Sequence, residues 1–212
     1  MADWIRRPFT SPGLTQIPTG RHLSALQNRF GGGTVILCID VSGSMDGRPI
    51  LEAVRGAQAF VDEAVQARYR VGVLQWNTDV AALAEPTEDG KAARRLLDRT
   101  KSASGGNNLL RPLDKCHQIL DQVRDRDQDR VVAIFGDGDI SPRERVLAKV
   151  AQMKAENIRF VTRGLGHAAA REFAQVSSED LPSVAVDGVE NLADGIAAMA
   201  ASLKPVAGRR RR

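Results

Sequence analysis

Residues 34–44 read TVILCIDVSGS, and the fold turns on how that run ends. From Thr34 to Ile39 every side chain is apolar, β-branched or small, the make-up of a strand buried on both faces of a parallel sheet. Asp40 stops the run, and Val41-Ser42-Gly43-Ser44 leads into a helical pattern. A carboxylate and two hydroxyls therefore stand at the carboxyl end of a strand, where open α/β sheets form their ligand crevices. At alternate positions around a tight turn, with Gly43 giving the backbone room, Asp40, Ser42 and Ser44 suit convergence on one hard cation. The same residues also suit capping of the following helix, and the motif alone leaves both readings open.

Working outward, Leu51, Val54, Ala57, Val61 and Val65 recur at helical spacing and predict a helix over 49–67, with Pro49 in its first turn. Residues 70–76 (RVGVLQW) read as a strand, and Asn77-Thr78 turns it into a short antiparallel partner at 79–83. Pro86-Thr87-Glu88 signals a charged helix running to Asp98. A Gly/Ser/Asn loop at 102–108 precedes a helical stripe of Leu109, Leu113, Cys116, Leu120 and Val123. Strands at 130–135, 158–162 and 183–186 alternate with helices from 141, over 168–176 and along Leu192, Ile196, Met199 and Leu203. The alternation predicts a doubly wound α/β domain: a mostly parallel central sheet, one antiparallel edge strand, and helices on both faces.

The chain has 212 residues, 42% of them hydrophobic, which supports one domain with a sizeable core. Its formal charge of +4 equals that of the four arginines at 209–212, and residues 1–33 are also basic, so the stretch between is mildly acidic. That distribution argues against a nucleic-acid groove, leaving only contacts of the arginine tail. Residues 1–33 are rich in Pro, Gly and Arg and read as a partly ordered extension or a docking arm; Leu23, Leu26 and Phe30 suit a short helical turn within it. Cys38 in the strand and Cys116 on the helical stripe read as buried thiols of a reducing compartment. No apolar run has the length of a membrane span and no signal-peptide pattern opens the chain, so a cytoplasmic protein is expected.

A second buried strand also ends in acid, at Gly136-Asp137-Gly138-Asp139. Parallel strands present their carboxyl ends on one edge, so Asp40, Ser42, Ser44, Asn107 and Asp137 are the candidate ligands of one all-oxygen site. Such a site suits Mg²⁺, Mn²⁺ or Ca²⁺ and not zinc. DVSGSM at 40–45, SGGNNL at 104–109 and FGDGD at 135–139 resemble the three loops of the metal-ion-dependent adhesion site (MIDAS) in von Willebrand factor A (vWA) domains. The resemblance covers residues 34–203, so the division expected is an extension at 1–33, a vWA domain of Rossmann-like fold at 34–204 and a basic tail at 205–212. It implies that Ser42 and Ser44 bind the ion directly, that Asp40 and Asp137 act largely through water, and that an Asp or Glu of a protein partner completes the octahedron. Where the family usually has Thr, this chain has Asn107, whose amide oxygen is a competent ligand and whose other reading is a left-handed turn residue.

The function expected is a divalent-metal-dependent protein-binding module, not an enzyme. The resemblance is to standalone bacterial members that work inside the cell beside AAA+ ATPases of the MoxR type or in tellurite-resistance-type stress systems. Two other classes compete. A Mg²⁺-dependent phosphatase of the haloacid-dehalogenase type also has Asp after its first strand, but its second Asp falls where this chain has Ser42. A scaffold domain with a degenerate metal site is the other, suggested by Asn107. Gly164-Leu165-Gly166-His167-Ala168-Ala169 mimics a dinucleotide fingerprint, which belongs in the first βαβ unit. Asp125, Asp127 and Asp129 mimic a calcium loop, but Arg130 stands where that loop needs Gly.

Overall fold

The computed structural model describes residues 32–123, 128–138, 140–179 and 185–203. The turn expected around Leu23 to Phe30, the basic tail, Asp125, Asp127 and Asp139 lie outside them.

β1 (Gly33–Asp40) is buried along its whole length and forms the centre of the sheet. β2 (Tyr69–Trp76) and β4 (Asp129–Gly136) flank it in parallel. β3 (Val80–Thr87) pairs antiparallel with β2 at one edge, and β5 (Ile158–Leu165) and the short β6 (Ala185–Val186) extend the other. The order is β3-β2-β1-β4-β5-β6, doubly wound as the alternation predicts. From β1 the chain winds outward to β2 and β3, then returns to β4 on the opposite side. The point of reversal lies between β1 and β4.

Alternate side chains of β1 enter two cores. Val35, Leu37 and Ile39 pack with α1 (Arg48–Gln66), α2 (Lys91–Arg99) and α6 (Leu192–Ala198). Ile36 and Cys38 pack with α3 (Leu110–Asp121), α4 (Arg143–Ala155) and Phe173 of α5 (Gly166–Ala174). Each of these fully buried aliphatic side chains contributes about 2 kcal/mol. Cys38 and Cys116 are free thiols inside the second core, with their Sγ atoms 3.3 Å apart.

Two expected boundaries move. The helix expected at 86–98 begins only at Lys91, because β3 continues to Thr87 past a register shift opposite Val71 and Val73. Pro86 lies within this edge strand, where its missing N–H costs no ladder bond. The helix start is set instead by Gly90, at φ +62°, and by Asp89, whose carboxylate accepts from the Lys91 amide at 3.1 Å. The last helix is α-helical only to Ala198 and tightens into a 3₁₀ turn over Met199–Leu203.

Candidate metal centre

The carboxyl ends of β1 and β4 meet at the reversal point. Ile39 is in register with Phe135, so Asp40 at the end of β1 lies beside Gly136 at the end of β4. A Cβ at Gly136 would stand 3.0 Å from both Cβ and Oδ2 of Asp40, so only glycine lets the strands bring Asp137 this near without a shift. Asp40 is fully buried. Its Oδ1 accepts from the Ser42 backbone N–H at 2.8 Å and its Oδ2 from Nδ2 of Asn107 at 3.0 Å. Burial pushes its carboxyl up from 3.8 to about 6; the hydrogen bonds from Ser42 oppose this, and the Asp137 carboxylate adds to it. The Ser42 and Ser44 hydroxyls lie 3.2 Å apart on a 3₁₀ turn over Gly43–Met45. Neither Asp40 nor Ser42 accepts a capping bond from the first N–H groups of α1, whose N-cap is Gly47 without a side-chain bond. The capping reading of the motif therefore fails for this helix.

Asn107 reaches the same edge with a defined orientation. Trp76 Nε1, which can only donate, lies 3.2 Å from its Oδ1, so the amide NH₂ faces Asp40. The amide orients the carboxylate, and its oxygen is engaged by the indole. Asp137 is half-buried beside Asp40.

The Gly/Ser/Asn loop has almost no regular structure but is tied down along its length. Gly43 N–H donates to Gly105 O at 3.0 Å, Ser104 N–H to Val41 O at 2.8 Å, and Asn108 N–H to Asn77 O at 2.8 Å. Side chains add three further ties: Asp46 accepts from Ala103 N–H at 2.9 Å, Asn77 Nδ2 donates to Ser104 O at 2.8 Å, and Thr78 Oγ1 accepts from Gly106 N–H at 3.0 Å. Leu109 N–H donates to Ser141 O at 2.9 Å, coupling the loop to the one after β4. Trp76, Asn77, Thr78 and Asp46 are the positions that motif reading does not single out. For Trp76, Asn77 and Thr78 the signal was topological, since β2 is parallel to β1 and its carboxyl end falls on the same edge; Asp46 directly follows the 40–45 motif.

The donor set fits a hard divalent cation. Two carboxylates and two hydroxyls lie together with no His or Cys among them, and no Lys or Arg among the described residues bonds Asp40. No three of His, Cys, Asp and Glu gather as a metal cluster among those residues, so the hydroxyls would have to complete any ligand set. A cation would offset the cost of a buried carboxylate beside a second one.

A doubly wound sheet with polar side chains converging at its reversal point defines an open α/β ligand-binding domain. The family model described as the von Willebrand factor type A domain matches residues 35–139, and over that stretch the chain is similar to that family. Two von Willebrand factor A domain-containing proteins of Dictyostelium discoideum are each 28% identical over 136 residues, covering 62% of this chain but only 14% of their own length. Among solved structures, the vWF domain of the type V pilus tip protein Mfa5 from Porphyromonas gingivalis superposes with a TM-score of 0.72 at 11% identity, over 86% of this chain and 98% of that one. A von Willebrand factor type A protein from Catenulispora acidiphila gives 0.67 at 18% identity, over 82% and 43%. Proximal thread matrix protein 1 of the mussel byssus, with a zinc-occupied MIDAS motif, gives 0.66 at 11% identity, over 83% and 47%. At these identities the likeness to solved structures is one of fold. No helix among the described residues is long and apolar enough to cross a membrane.

Proposed function

We propose that this domain is a divalent-metal-dependent protein-binding module without catalytic activity of its own. The observation that carries the reading is Asp40: a fully buried carboxylate beside Asp137, with two serine hydroxyls next to it and no cationic side chain bonding it among the described residues. Ser42 and Ser44 would hold the ion directly, and Asp40 and Asp137 would balance its charge. Asn107, assigned to the ligand set from its position in the sequence, acts chiefly by fixing Asp40 through its NH₂ group. Mg²⁺ is the expected ion; the mussel protein with zinc in its motif makes Zn²⁺ the necessary comparison. Bound there, the ion supplies Lewis acidity for one further oxygen ligand, an Asp or Glu carboxylate of the partner. The exposed Ser44 marks the side from which that ligand enters.

The cytoplasmic setting rests on cysteine usage and the resemblance, and an AAA+ ATPase of the MoxR type as neighbour rests on the resemblance alone. The test is fluorescence anisotropy of a labelled single-aspartate peptide, with Mg²⁺ and with EDTA. Binding that requires Mg²⁺ and is lost in Ser42→Ala/Ser44→Ala is expected. Metal-independent binding, or turnover of p-nitrophenyl phosphate that the same substitutions abolish, would overturn the reading.

A further inference from the structure

Beside the metal edge lies an open cavity of about 260 Å³. Val41, between Asp40 and Ser42, and Ser104, in the Asn107 loop, belong to its wall, so cavity and candidate ion site share both loops. Arg99, at the end of α2, and Lys101, just beyond it, are the charged residues among those lining it; no carboxylate does. Ser102 and Asn77 complete the polar rim. Both basic side chains are exposed, and among the described residues neither has an ion-pair or hydrogen-bond partner. Their neighbours are engaged elsewhere: Asp98 accepts from Gln58 Nε2 at 2.8 Å, Arg94 is paired with Asp62 and Lys91 with Asp89. The asymmetry stands out because residues 34–208 are mildly acidic as a whole.

We infer that this cavity is a second recognition site, which takes further carboxylates of the acidic segment whose first Asp or Glu reaches the metal. This rests on the metal-dependent reading above and adds the partner's chemistry: a short run of consecutive acidic residues, not an isolated one. With the ion's charge balanced by Asp40 and Asp137, Arg99 and Lys101 leave the cavity beside it positive, which selects a partner by its anionic pattern and steers its approach. The guanidinium fork of Arg99 fits a carboxylate bidentately, while Lys101 and the Ser102 hydroxyl offer donors at the rim.

The test compares two fluorescein-labelled amidated peptides, Gly-Asp-Glu-Glu-Glu-Gly and Gly-Asp-Ser-Ser-Ser-Gly, by anisotropy in Mg²⁺ and in EDTA. The proteins are wild type, Arg99→Gln/Lys101→Gln, and Arg55→Gln/Lys115→Gln, which makes the same net-charge change at positions outside the cavity lining. Tighter binding of the triglutamate peptide is expected, falling about tenfold in Arg99→Gln/Lys101→Gln only, with the single-aspartate peptide unaffected. Equal loss in both variants would reduce the effect to net charge and overturn the proposal, as would equal binding of the two peptides. Tighter binding of a phosphoserine-bearing counterpart would overturn the choice of carboxylates. Failure of the metal reading shows separately, as indifference of both peptides to EDTA while the dependence on Arg99 and Lys101 persists.

Discussion

Two aspartates at opposite ends of one sheet are treated in opposite ways. Asp129, at the amino end of β4, accepts from Tyr69 Oη at 2.6 Å and from Arg159 Nε and an Arg159 terminal nitrogen at 2.8 and 2.5 Å. Tyr69 Oη also lies 2.6 Å from Leu203 O and Arg159 donates to Ser202 O at 3.2 Å, so this cluster clamps the chain beyond α6 to the base of the sheet. Burial, and then Asp129, hold the Tyr69 phenol well above its ordinary value, while Asp129 raises the Arg159 guanidinium. Asp40, more deeply buried, has two N–H donors and a second carboxylate for company. A charge that serves structure is given its counterion by the chain. At the other end no Lys or Arg among the described residues bonds Asp40, and in the proposed function a bound metal ion takes the counterion's role.

That contrast predicts separable effects. The largest is Asp129→Ala, which leaves the Arg159 fork and the Tyr69 hydroxyl with fewer partners; about 3 kcal/mol of stability should be lost in urea unfolding, with metal affinity unchanged. A fall in metal affinity as well would show that the two ends are coupled and break the comparison.

Next comes pH. Asp40 in the folded, metal-free protein holds a proton that the unfolded chain releases, since its carboxyl is raised from 3.8 to about 6. Its contribution to stability is therefore fully present below 3.8 and is lost as pH rises through about 6. The metal-free protein should lose on the order of 2 kcal/mol across that window through this group, and Asp40→Asn should remove that component. Saturating Mg²⁺ should restore stability at pH 7, because the ion competes with the proton. An identical pH profile for wild type and Asp40→Asn would contradict the assignment.

The smallest effect is that of Asn107→Ala, which deprives Trp76 Nε1 of its acceptor and Asp40 of one donor. About 1 kcal/mol of stability should go, with weakened rather than abolished metal binding. Complete loss of binding would make Asn107 a direct ligand and sharpen the site accordingly.

The central strand, its terminal Asp and the doubly wound class were legible because a run apolar, β-branched or small at every position has few places to go except between two flanking strands. The carboxyl edge followed from parallel topology. What stayed hidden depends on contacts between distant residues. Pro86 looks like a helix start until the register shift opposite Val71 extends β3 through it. Asn107 reads as an oxygen ligand until the indole of Trp76 fixes which end of its amide faces Asp40. The Asp129 clamp has no motif at all, since Tyr69, Arg159 and Leu203 come from three separate elements. Arg99 and Lys101 pass for an ordinary charged helix end until the cavity shows that no acid among the described residues lines it with them.

The most direct measurement is a calorimetric titration of Mg²⁺, with Mn²⁺ and Zn²⁺ beside it, into wild type and Ser42→Ala/Ser44→Ala. The expected result is saturable binding near one equivalent in wild type, abolished in the variant while its unfolding transition is retained. Absent binding in both proteins, or equal binding in both, would contradict the metal site and with it the proposed mode of recognition.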